Sequence, residues 1–219
     1  MSLATGPDLV AMFGAVAAAI EADKARLSEL DGAIGDGDHG ITMAMGFAAV
    51  TSALSKLDPA ASDPTLILNT VAKAFLNAVG ASSGPLYATA FMRAAASVKG
   101  RAALDEPAIL GLLLAMAKGI GERGKAEPGD KTMIDAWHPA AQAIEAAQAA
   151  GKPFAECLDD AVAAAAAGAE ATTTMVARKG RAAKLGDRSL GHMDPGAASA
   201  VIVLRAIRDR FSPNGSTAS

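Results

Sequence analysis

Asp31-Gly-Ala-Ile-Gly-Asp-Gly-Asp-His-Gly40 places three carboxylates among four glycines. Asp36 and Asp38 are two residues apart, a spacing that no helix brings to one face. The glycines therefore predict a tightly folded loop between two helices. Such a loop aims several carboxylate oxygens at one point, where like charges repel unless a cation lies between them. Mg²⁺ is the hard divalent cation that suits a set of oxygen ligands. The competing reading is capping, with Asp31 closing the first helix and Asp38 opening the second. Capping accounts for one aspartate; it requires neither three nor glycine at 32, 35, 37 and 40. An EF-hand fails on spacing: counting Asp36 as position one, position twelve is Phe47 rather than Glu.

On either side of this loop the punctuation predicts eight helical segments. The first runs from about Asp8 to Leu30, and the second from Gly40 to just before Asp58-Pro59. The third opens at Asp63-Pro64, a cap followed by proline, and ends at Gly80. The fourth runs from Pro85 to Lys99, and the fifth from Asp105-Glu-Pro107 to between Gly121 and Gly124. The sixth runs from Thr132 to Gly151, the seventh from Phe154 to Lys179, and the eighth from Asp194-Pro-Gly196 to Phe211. Residues 1–211 read as one domain, with Ser212–Ser219 as a disordered tail.

Composition agrees with an all-α chain. Of 219 residues, 51% are hydrophobic but only 4% aromatic, and alanine, the strongest helix former, supplies much of the apolar share. A net charge of -3 argues against general binding to nucleic acid or to an anionic membrane. The single Cys157 excludes an internal disulfide framework and fits a reducing cytoplasm. Leu9–Ile20 is apolar but lacks a basic flank, and the Ala161–Ala169 run is too short to span a bilayer.

Short connections between long helices predict antiparallel neighbours. The turns after the first, third, fifth and seventh segments then share one end of the molecule. They contain Asp31–Gly40, Gly80–Pro85, Gly124–Thr132 and Gly180–Gly196, the four glycine-rich polar loops. In the second, glycine and the Ser82 and Ser83 hydroxyls suit an anion at a helix start. The third, with Lys125, Asp130 and Lys131, reads equally as a solvated turn, and it is not a Walker A sequence. Beyond it, Arg178 and Lys179 complement the end of the seventh helix, while Arg181, Lys184 and Arg188 are free to face phosphates or an acidic partner. Together the loops describe a Mg–nucleotide site without a P-loop.

Four segments carry a resemblance to the L subunit family of dihydroxyacetone kinase. They are Leu30–Gly40, Gly80–Leu86, Arg123–Met133 and Ala177–Ala182 continuing through Leu185–Ala197, and they span nearly the whole chain. The resemblance implies a closed barrel of eight antiparallel helices. It implies that Asp31, Asp36 and Asp38 hold two Mg²⁺ ions. It places His39, Gly40, Ile41, Thr42, Ser82, Ser83, Gly124, Met133, Arg181, Asp194, Pro195 and Gly196 at a bound ADP or ATP. In that set Ser82 and Ser83 face phosphate, Met133 lies against the base, and Arg181 is catalytic. Departures at Ala81 and Gly37 fall at variable positions and remove no ligand.

In that family the substrate is held elsewhere, on a K subunit that carries dihydroxyacetone. The expected partners are therefore a K subunit and a phosphotransferase-system phosphoryl donor protein that rephosphorylates bound ADP; a homodimer is left open. The chain's stand-alone length favours this version over an exchangeable-ATP ketose or tetrose kinase. Two rivals remain: a regulatory nucleotide-binding interaction module, and a structural helical bundle with a Ca²⁺ site.

Overall fold

The structure is a computed structural model that describes residues 3–212. Nine α-helices account for most of it: α1 Gly6–Ala22, α2 Lys24–Ile34, α3 His39–Leu54, α4 Pro64–Ala78, α5 Ser83–Ser97, α6 Glu106–Gly124, α7 Ile134–Ala149, α8 Phe154–Ala171 and α9 Pro195–Phe211. Short 3₁₀ turns follow α8 at Thr172–Thr174 and Ala182–Ser189. β pairing is confined, among the described residues, to one antiparallel bridge between Ala4 and Leu104. The all-helical class matches the sequence reading.

The Asp-Pro and Asp-Glu-Pro starts form as written. Asp63, Asp105 and Asp194 each accept the backbone N–H three residues on, from Leu66, Ala108 and Ala197 at 2.7, 2.9 and 2.7 Å. Each satisfies one of the free N–H groups that a helix start leaves open.

Two boundaries differ from expectation. The first segment is two helices, broken at Asp23, and the second of them carries on through Asp31 and Gly32 to Ile34. The break keeps its hydrogen bonds, from Asp23 N–H to Ala19 and from Leu27 N–H to Asp23. It is thus a bend, for which the sequence offers no glycine or proline signal. The seventh segment stops at Ala171 rather than Lys179. Thr172, Thr173 and Thr174 turn their hydroxyls back onto the carbonyls of Ala169, Glu170 and Ala171. Those bonds, with β-branched crowding, end the helix. Arg178 and Lys179 therefore do not lie at a helix C-terminus. Ser212 closes α9 by donating to Arg208 at 2.7 Å; the remainder of the expected tail lies outside the described residues.

Helices α3 to α9 pack in chain order, α9 packs on α1, and α1 packs on α3; α2 lies across α3 and α9. The interior is alanine-lined around a cluster of Phe13, Phe47, Phe75, Tyr87, Phe91 and Trp137. Its rings meet mostly edge to face, at centroid separations such as 5.1 Å for Phe47–Phe75, each pair worth about 0.5–1.5 kcal/mol beyond burial. This core underlies the end where α3, α5, α7 and α9 begin. No helix among the described residues is long and apolar enough to cross a membrane.

Candidate functional site

The first turns of α3, α5, α7 and α9 line one cavity of about 410 Å³. Four helix N-termini thus face one space, each with the positive end of its dipole. The four loops that alternation assigns to one end of the chain all contribute to its wall. Such a space favours a multiply charged anion.

One side is acidic. Asp31 lies in the last turn of α2, and its Oδ2 accepts the N–H groups of Asp38 and His39 at 2.9 and 3.1 Å. Asp31 therefore caps α3 from a neighbouring helix, while Asp38, at the cap position, makes no cap bond. This corrects the capping roles drawn from sequence. It also frees the Asp38 carboxylate to join Asp36. One oxygen from each of Asp31, Asp36 and Asp38 lies within 4.8 Å of the others. Gly40 makes the packing possible: a Cβ there would sit 2.0 Å from the Lys24 carbonyl oxygen.

Arg181 reaches across to this corner. Its guanidinium pairs with Asp36 and lies 3.4 Å from Asp38, and those two carboxylates raise its pKa further. The arginine is set by its neighbour in sequence: Ala182 is buried with Ala177 against Ile34 at the end of α2. Ser189 fixes the same segment, accepting from Ala177 N–H at 2.9 Å and donating to the Gly186 carbonyl at 2.7 Å.

His39 points inward from the start of α3. Its Nε2 lies 2.9 Å from Ser199 Oγ, which donates its own proton to the Gly196 carbonyl at 3.0 Å. With that proton on Gly196, Ser199 Oγ is open to accept from a neutral imidazole protonated at Nε2. Burial lowers the imidazole pKa, against the opposing pull of Asp31 and Asp38. Beneath it, burial pushes the Tyr87 phenol up to about 12.

The opposite side is apolar and tightly bonded. Met133 and Ile134 at the start of α7 face Pro195 and Gly196 at the start of α9, with Leu86 and Ile120 nearby. The turn before α7 is organised by Asp135, which accepts N–H groups from Gly129 at 2.5 Å and Thr132 at 2.8 Å. Removal from water pushes Asp194 up to about 7, aided by the Asp135 and Asp31 charges and opposed by the Ala197 N–H and Lys131. Sequence reasoning passed over Asp135 and Arg123 as site residues and read Lys131 only as part of a polar turn. The Asp130-Lys131 pair marked a polar turn, but nothing in it told that the lysine head turns inward.

Asp31, Asp38, His39, Thr42, Ser82, Ser83, Gly124, Met133, Arg181, Asp194, Pro195 and Gly196 line the cavity. Asp36 lies beside it in the carboxylate cluster, Gly40 packs against α2, and Ile41 is 59% exposed on the outer face of α3. Three convergent carboxylates carry more charge than one arginine offsets, and every donor is a hard oxygen. The set fits Mg²⁺. Ser82 makes no cap bond with its hydroxyl at the start of α5, so that group is available to a ligand.

The DAK2 domain profile matches residues 33–209. The chain is 40% identical over 181 residues to the ADP-binding subunit DhaL of the PEP-dependent dihydroxyacetone kinase of Escherichia coli, covering 83% of this chain and 85% of that one. It is 38% identical over 194 residues to the corresponding DhaL subunit of kinase 2 of Listeria innocua, covering 89% of each. The dihydroxyacetone kinase of C. freundii, solved in complex with AMP-PNP and Mg²⁺, superposes with a TM-score of 0.72 at 26% identity. That match covers 95% of this chain and 35% of the C. freundii kinase, so the chain spans about a third of its length.

Proposed function

The chain belongs to the DAK2 domain family, and from that membership we propose that it is the nucleotide-binding phosphotransferase subunit of a dihydroxyacetone-type kinase. ADP or ATP lies in the cavity, phosphates toward the acidic side and base toward Met133. Asp31, Asp36 and Asp38 hold two Mg²⁺ ions, which when bound neutralise and orient the phosphate oxygens. Ser82, Ser83 and the start of α5 bind phosphate. His39, Gly40, Ile41 and Thr42 form the helix start beneath it, and Gly124 with Asp194, Pro195 and Gly196 completes the wall.

Arg181 leaves Asp36 to neutralise charge that develops on the transferred group. Catalysis here is mainly positioning and electrostatics, because phosphoryl transfer asks little covalent chemistry of the protein. The acceptor is dihydroxyacetone or a related small ketose, held on a separate K subunit that docks at this end. ADP stays bound and is rephosphorylated by a phosphotransferase-system donor protein, in the cytoplasm.

The observation that carries this reading is the meeting of four helix N-termini with three carboxylates and Arg181 at one cavity. It is supported by the ADP-binding DhaL relatives and by a fold shared with a kinase solved with AMP-PNP and Mg²⁺. The test is reconstitution: the chain, a K subunit, dihydroxyacetone, and either the phosphoenolpyruvate-dependent donor proteins or ATP. Dihydroxyacetone phosphate should form with the donor proteins and only when this chain is present. No transfer from either source would leave a regulatory nucleotide-binding module as the better account.

A further inference from the structure

Lys131 is a buried cation without a task in the chemistry above. The residue is 1% exposed, and its backbone is left-handed at φ 60°, an uncommon state for a lysine. A lysine at the wall of a nucleotide cavity invites assignment to phosphate. Its ammonium, however, is turned into the protein. Nζ donates to the Thr172 carbonyl at 2.6 Å and to the His192 carbonyl at 2.5 Å.

These two carbonyls belong to different parts of the wall. Thr172 ends α8, where unpaired carbonyls and the negative end of the helix dipole favour a cation. His192 precedes the Asp194 cap of α9. Thr172 makes a second tie, its Oγ1 accepting the Asp194 N–H at 2.9 Å. The wall these ties hold is close-packed: a Cβ at Gly196 would lie 3.4 Å from Met133 Cβ and 3.0 Å from Asp194 Oδ2. A buried ammonium is costly unless its hydrogen bonds are met. Here the bonds that meet it join the start of α7, the end of α8 and the start of α9. Burial lowers the Lys131 pKa, against the opposing pull of the Asp194 carboxylate on α9.

We propose that Lys131 is a positioning residue for the nucleoside half of the ligand: its ammonium fastens Met133 to the Asp194–Gly196 turn at the spacing that accepts a base. It touches no phosphate. The inference rests on the nucleotide reading of the cavity and adds the element that sets preference for a nucleoside diphosphate over a bare diphosphate.

The test titrates the full chain and its Lys131→Met variant by calorimetry, with Mg-ADP and with Mg-pyrophosphate. Lys131→Met should weaken Mg-ADP at least tenfold and change Mg-pyrophosphate by less than about twofold. Equal weakening of both ligands, as a phosphate contact or a general loss of structure would give, overturns the proposal, and so does unchanged ADP affinity. Should Lys131→Met fail to fold, Thr172→Val decides. It removes the hydroxyl that receives the Asp194 N–H and donates to the Ala169 carbonyl, leaving the Lys131 side chain in place, and it should weaken ADP about threefold with pyrophosphate unchanged; unchanged ADP affinity overturns the proposal. A wild-type chain that binds neither ligand refutes the nucleotide reading itself, an outcome distinct from failure of the fastening.

Discussion

The two sides of the cavity are built in opposite ways. On the acidic side, Asp36, Asp38 and Arg181 expose between 47% and 56% of their side chains, and their mutual ties are ionic. On the apolar side, Lys131 and Thr172 are buried, and their ties run to backbone carbonyls and N–H groups. Exposed ion pairs add little to stability, so Arg181 exchanges partners at little cost. Hydrogen bonds to a charged group are worth about 1.5–3 kcal/mol, and breaking buried ones strands their partners. The difference separates a side that rearranges around phosphates from a side whose shape exists before the ligand arrives.

Arg181→Ala tests the acidic side most severely. Transfer should slow by about 100-fold or more while ADP affinity moves by less than about threefold, as steady-state kinetics with a saturating K subunit and a binding titration will show. Loss of affinity with normal turnover would make Arg181 a binding residue. Gly40→Ala attacks the junction of α2 and α3 instead. Its Cβ would meet the Lys24 carbonyl, and overpacking of this kind costs about 1–3 kcal/mol, so the melting temperature should fall by several degrees. A variant as stable as wild type would mean that α2 yields easily.

Asp36→Asn should weaken Mg-ADP more than tenfold yet leave the melting temperature of the metal-free chain within about 2 °C, because Asp36 is exposed and outside the core. Equal ADP affinity across a Mg²⁺ titration would remove Asp36 from the metal set. Asp194→Asn probes the apolar side through pH. The folded pKa of about 7 lies above the ordinary 3.8, so the folded chain holds a proton that the unfolded chain has lost. Asp194 thus supports stability fully in acid, and its support is lost as pH rises from about 4 to 7. Asparagine keeps the cap acceptor and does not titrate. The variant's melting temperature should gain on wild type by a few degrees between about pH 5 and pH 8; a constant difference would show that Asp194 titrates normally.

The same contrast governs what the sequence discloses. Clustered aspartates and glycines announce the acidic side because their chemistry is local: three carboxylates within eight residues need a cation wherever the chain goes. Asp-Pro pairs announce helix starts for the same reason, and α4 and α9 begin there. The apolar side depends on contacts between distant residues. Lys131 reaches Thr172 and His192, 41 and 61 positions away, and no pattern around Lys131 signals that its head turns inward. The bend at Asp23 is equally silent, since its hydrogen bonds persist and neither glycine nor proline marks it. The early end of α8 did leave a trace in its three consecutive threonines, outweighed by the alanine run before them.

The central claim is that both sides serve one Mg-bound nucleotide. Native mass spectrometry of the purified chain in ADP and Mg²⁺ tests it most directly. The account predicts a single added mass equal to one ADP with two Mg²⁺, lost when a chelator is added. A chain that gains no mass, or takes up metal without nucleotide, contradicts it.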